Sequence, residues 1–136
     1  MRRLTMLATA CLLGAGCAST DAELHVPGTV VLKVGGSASI AGTPWSVKFD
    51  SVASDSRCPL GVLCIHAGEG LVSLELTSPV ADPPRYDNPR FNLGTTPVTV
   101  EGYRFTQIEL SPIQRQNTTI DPRSYVVTIM IESGTP

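Results

Sequence analysis

The chain has 136 residues, with 10 basic against 12 acidic side chains and a formal charge of −2. That length supports one domain around one core. No basic patch or run occurs, which excludes the electrostatic footprint that nucleic-acid binding requires.

Met1-Arg2-Arg3 is a short basic start, and residues 4–14 form an uncharged apolar segment followed by small residues. The segment is too short to span a bilayer and reads as an export signal. The run Leu12-Leu13-Gly14-Ala15-Gly16-Cys17 resembles a lipobox, in which Cys17 becomes the acylated N-terminus. Gly14 stands where that pattern usually has Leu, and Leu13 sits one step early. An ordinary signal peptide, cleaved nearby to release a secreted protein, is the alternative. Ala18 follows the cysteine, and resemblance to Gram-negative sorting then implies an outer-membrane anchor facing the periplasm. No second long apolar stretch exists, so lipid is the expected membrane attachment. The expected division is a signal over 1–16, a tether over 17–28 and a β-domain over 29–133. Without Arg2 and Arg3 the 10 basic residues fall to 8 against 12 acidic, a formal charge of −4.

From residue 29 the pattern is that of strands. Val30, Leu32 and Val34 alternate with Val31 and Lys33, Gly35-Gly36 turns the chain, and residues 37–41 alternate again, which predicts a hairpin. Trp45, Val47 and Phe49 face one way and Ser46, Lys48 and Asp50 the other, a half-buried strand leading into residues 55–70.

Residues 55–70 read Asp-Ser-Arg-Cys-Pro-Leu-Gly-Val-Leu-Cys-Ile-His-Ala-Gly-Glu-Gly. Cys11 leaves with the signal and Cys17 takes lipid, so Cys58 and Cys64 remain as an even pair, a disulfide in an oxidising compartment. Pro59 and Gly61 let five intervening residues reverse. The competing reading is a three-ligand soft metal site of Cys58, Cys64 and His66, which needs reduced thiolates. In the disulfide reading His66 is a half-buried imidazole packed beside the sulfurs. Asp55-Ser56 suits a turn whose carboxylate accepts backbone N–H groups. Arg57 either pairs with Asp55 or Glu69 or is offered to a partner, and Glu69 between two glycines reads as a turn residue.

Val72, Leu74 and Leu76 alternate with Ser73, Glu75 and Thr77, the cleanest period of two in the chain. A proline-rich connection follows over 78–90, a candidate functional loop. Short strands are expected at 91–93 and 98–100. In the next strand Tyr103 and Phe105 share one phase and Ile108 and Leu110 the other, so a β-bulge is expected near Thr106-Gln107. Tyr125, Val127, Ile129 and Ile131 form the last inward face, and the partly apolar opposite face predicts a central strand. No helical pattern of about 10 residues or more appears after the signal. The expected fold class is all-β, a β-sandwich or small barrel of about eight strands with a disulfide-pinned loop.

The run D-S-R-C-P, a second cysteine and then A-G resembles a domain found in many small bacterial lipoproteins and exported proteins of unknown function. Residues 103–112 and 124–131 resemble that domain's last two strands. In it an aromatic residue commonly stands where His66 stands here. The family brings no activity with it.

An enzyme is not expected. His25 and His66 are the only histidines, no G-x-S-x-G or phosphate-cradling loop occurs, and Asp55 with Glu69 is an undistinguished carboxylate pair. No cofactor and no metal are expected. The leading expectation is a lipid-anchored envelope β-domain with a binding or structural role, its partners the membrane, through the lipid, and an unidentified envelope protein or ligand. One alternative is a protease inhibitor presenting Arg57 on the disulfide loop; the other is envelope metal binding at Cys58, Cys64 and His66. The candidate binding loop comprises Asp55, Arg57, His66 and Glu69.

Overall fold

The structure, a computed structural model, describes residues 22–78 and 88–134. The expected signal, the acylation site Cys17 and most of the proline-rich connection lie outside them. The described residues form nine strands in two facing sheets, a sandwich without closure into a barrel. One sheet holds β1 (Ala22–Leu24), β3 (Ser37–Ile40), β4 (Ser46–Asp55), β5 (Gly70–Thr77) and β6 (Arg90–Leu93), in the order β1-β3-β4-β5-β6. The other holds β2 (Gly28–Lys33), β9 (Val126–Ser133), β8 (Tyr103–Ser111) and β7 (Val98–Val100), in the order β2-β9-β8-β7. A short 3-10 turn over Pro122–Ser124 precedes β9.

The alternating apolar residues form the core between the sheets. Val47, Phe49, Val72, Leu74 and Leu76 from one sheet meet Phe105, Leu110, Val127, Ile129 and Ile131 from the other, all buried. Phe91 packs on Phe105 across the interface at 4.9 Å between ring centres. β9 is central, as its two apolar faces predict, paired with β2 on one side and β8 on the other. β4 pairs with β5 in antiparallel register, so the cysteine loop connects two neighbouring strands.

Two expectations are corrected. The segments around Gly35-Gly36 do not form a hairpin: β2 pairs with β9, while β3 pairs with β1 and β4. Val30 and Leu32 face Ala38 and Ile40 only by lying in opposite sheets, so the glycine turn carries the chain between layers. The expected tether over 17–28 is also too long. Ala22–Leu24 pairs in parallel with β3 and buries Leu24, and β2 starts at Gly28.

Bulges aim the strands. The ladder between β8 and β9 shifts between Gln107 and Glu109, which leaves Ile108 exposed and returns Leu110 to the core. β4 shifts register twice, between Phe49 and Ser51 and between Val52 and Ser54, as its last turn of pairing leaves the core for the corner at Asp55.

Ile129→Ala empties a fully buried site and is expected to lower the unfolding free energy by about 2–5 kcal/mol. Ile108→Ala, at the exposed bulge, is expected to stay within about 0.5 kcal/mol of the parent. Urea unfolding of both variants measures the difference.

Candidate functional site

β4 ends, β5 begins, β8 ends and β9 begins at one end of the sandwich, and residues 55–70 form a corner there. Asp55 is its polar centre. Its Oδ1 accepts from the backbone N–H of Arg57 at 3.2 Å and from Arg57 Nε at 2.8 Å. Its Oδ2 accepts from Arg57 Nη2 at 2.7 Å and from the Tyr125 hydroxyl at 2.9 Å. Arg57 also donates from Nη1 to the Leu110 carbonyl and from Nη2 to the Pro112 carbonyl at 2.9 Å. The Asp55 side chain is 6% exposed and that of Arg57 20%. One carboxylate and one guanidinium thus tie the end of β4 to the end of β8 and the residue before β9, across the two sheets.

The corner continues through its backbone. Ser56 N donates to the Glu69 carbonyl at 2.9 Å and Cys58 N to the Ala67 carbonyl at 2.9 Å. Gly68 has φ +65°, and a Cβ there would collide with the Ser56 carbonyl, so the two arms close this tightly only around glycine. Gly70 is constrained differently, since a Cβ would run into Leu110 Cδ2 and crowd Arg57. Beyond Cys58 the chain leans on the loop after β8, where Leu60 N donates to the Gln114 carbonyl at 2.9 Å and Leu60 forms an isolated bridge with Arg115.

Cys58 and Cys64 are joined as a disulfide, their Cα atoms 6.0 Å apart. With both sulfurs bonded to each other, the thiolate site with His66 is not assembled. Among the described residues no group of three His, Cys, Asp or Glu is gathered for a metal ion.

The four predicted loop residues separate. Asp55 and Arg57 pair inward. Glu69 turns away from Arg57 and accepts with Oε2 from Thr95 N at 3.1 Å and Thr95 Oγ1 at 3.0 Å, bracing the loop after β6. His66 is exposed, which corrects the expectation of a half-buried imidazole against the disulfide. Arg57 is committed to one carboxylate and two carbonyls, so it is not presented to a protease as the inhibitor alternative requires.

Sequence reasoning passed over Tyr125 and the carbonyls of Leu110 and Pro112, because nothing local marks a partner 70 residues from Asp55. It also passed over Glu75, on the outward phase of β5 but only 8% exposed. Asn88 Nδ2 and Arg90 Nη2 each donate to its carboxylate at 3.1 Å and cover it. Finally, Leu63 and Ile65 on the disulfide loop are 102% and 96% exposed, with Leu60 and Val62 also exposed beside them. Compared with protein-family models, with curated proteins and with solved structures, the chain matches none.

Hydrogen bonds from Arg57 hold the Asp55 carboxyl below its usual range, against the opposing effect of burial. Burial, reinforced by the bond to Asp55, pushes the Tyr125 hydroxyl up. A depressed carboxyl stabilises the fold above its unfolded value of about 4, and that stability disappears as pH falls through the lower folded value. A raised phenol stabilises below its unfolded value of about 10 and is lost as pH rises through the folded value. Asp55→Asn is therefore expected to flatten the acid limb of a stability–pH curve measured by urea unfolding. Asp55→Ala, which leaves Arg57 and Tyr125 without their acceptor, is expected to cost about 2–4 kcal/mol at neutral pH.

Reducing the disulfide is a separate expectation. It should lower stability by about 2 kcal/mol, because the ring constrains the unfolded chain. Thermal melts with and without reductant measure it as a shift of several degrees.

Proposed function

We propose that the protein is a lipid-anchored β-domain of the bacterial envelope, attached through Cys17, whose disulfide-pinned end is its binding surface. The observation that carries this reading is the apolar tip of the loop. Leu60, Val62, Leu63 and Ile65 face solvent together on a loop closed by a disulfide and seated on a polar clamp. Fully burying such side chains is worth about 1.5–3 kcal/mol each, yet this corner holds them out of the core. Clustered apolar exposure of this kind marks an interaction surface.

The disulfide supports an oxidising compartment, which is where an export signal sends the chain. Its resemblance to the D-S-R-C-P domain of small bacterial lipoproteins points the same way. The chemistry at the corner supports binding over catalysis. Its carboxylates are occupied by Arg57, Tyr125 and Thr95, its cysteines are bonded to each other, and its histidine stands alone in solvent.

Mass spectrometry of the mature protein from envelope fractions is expected to find an acylated glyceryl-cysteine at Cys17, with no free thiol at Cys58 or Cys64. Cys17→Ser is expected to move the domain to the soluble fraction. A free N-terminus at another residue refutes the anchor, and two reactive thiols in freshly isolated protein refute the compartment.

A further inference from the structure

The geometry points to the tip of the disulfide loop as a second membrane contact, in which Val62, Leu63 and Ile65 enter the lipid surface to which Cys17 is anchored. The inference rests on the anchored reading above and adds an orientation to it.

The first support is the direction of β1. β4 runs toward the disulfide corner, β3 is antiparallel to β4, and β1 is parallel to β3, with Ala22 level with Ala38 and Val47. β1 therefore runs away from the corner, and Ala22 is its end nearer the disulfide loop. Cys17 lies five residues earlier in the chain, a reach of at most about 17 Å. The chain thus enters β1 from the side of the disulfide end, while Ala22 itself lies level with Val47, near the start of β4, so anchor and tip lie apart along the sheet. A domain leaning on its β1 edge can put both against one bilayer.

The second support is the chemistry of the tip. Residues 58–68 contain no acidic side chain, and exposed Arg115 stands beside the apolar group. Aliphatic residues beside a cationic one suit acyl chains beneath anionic headgroups. Ile113, 56% exposed and next to the Gln114 carbonyl that holds Leu60, extends the same surface.

The third support is preorganisation. The disulfide closes the loop, and the N–H groups of Cys58, Leu60 and Val62 already donate to the carbonyls of Ala67, Gln114 and Pro59. Those three donors are already satisfied, and little chain entropy is lost on insertion.

The test uses full-length acylated protein reconstituted in vesicles of phosphatidylethanolamine and phosphatidylglycerol, with phosphatidylcholine as the neutral control. Leu63→Trp places a fluorescent reporter at a fully exposed position. Its emission is expected to shift to the blue and to be quenched by lipids brominated on their acyl chains, after subtraction of the parent signal from Trp45. In the Cys17→Ser background, added vesicles are expected to bind weakly through the tip, and Leu63→Asp with Ile65→Asp to weaken that binding at least about tenfold. Both positions are fully exposed, so these variants are expected to melt with the parent.

Acylated protein that stays on vesicles with an unquenched indole at position 63 overturns the inference and leaves the anchor standing. An unacylated N-terminus with a quenched indole removes the anchor and keeps the tip. Loss of a dimer or of a cross-linked envelope protein in the Asp variants, with vesicle binding unchanged, also overturns it.

Discussion

The carboxylate of Asp55 accepts hydrogen bonds from four donors, three of them on Arg57 and the fourth on Tyr125. Everything at the disulfide end depends on that convergence. The two sheets share no strand pairing, so apart from the apolar core only such cross-links fix one end of a sheet against the other. Asp55 ends β4 in one sheet and Tyr125 immediately precedes β9 in the other, while Arg57 reaches the carbonyls at the end of β8 and just beyond it. Removing either charge would strand the other where solvent reaches it poorly, and this makes the pair more consequential than an ion pair of similar geometry at the open surface.

The disulfide and the clamp do different work. The ring of Cys58 and Cys64 limits the shape of a short segment. It says nothing about where that segment sits, because both cysteines belong to the same loop. Position comes from Asp55, Arg57 and the tight approach of Gly68 to Ser56, with Leu60 resting on Gln114. Glu69 extends the arrangement to Thr95, so the corner also holds the loop after β6. The outcome is a loop of fixed shape in a fixed place whose outermost side chains are apolar. Folding alone gives no reason for Leu63 and Ile65 to be there, since polar residues would serve a solvent-exposed turn as well.

Much of the sandwich is legible in the sequence because one physical rule governs it. Where a strand has a wet face and a dry face, alternation reports both, and Val72, Leu74, Leu76 and the face from Tyr125 to Ile131 read correctly. The bulge in β8 is legible for the same reason, as a break in that alternation. Pairing partners are not. Two alternating segments about a Gly-Gly turn look alike whether they bond to each other or face each other across a core, so β2 and β3 were expected to form a hairpin. The site shows the same limit. Asp55 and Arg57 lie two residues apart and their pairing is visible as an option, whereas Tyr125 reads simply as core. The exposure of Leu63 and Ile65 leaves no local trace, because an apolar residue in a loop carries no mark of the side from which it will be covered.

Topology, finally, decides what the tip can reach. Had β1 joined β3 in the antiparallel sense, Ala22 would point to the end of the sandwich that holds Gly102 and Gly134, and a lipid at Cys17 would draw the disulfide loop away from the bilayer. The parallel pairing of only three residues, Ala22–Leu24, instead brings the chain into β1 from the side of the disulfide loop. A lipid chain alone holds a protein to a membrane without orienting it, because a short segment between lipid and fold swivels. A second contact at a distance from the first removes that freedom. It also raises the effective concentration of the weaker contact, since the tip is already tethered near the surface when it meets it. On the proposed reading, a handful of aliphatic side chains too weak to hold the domain alone are sufficient to set which way it faces.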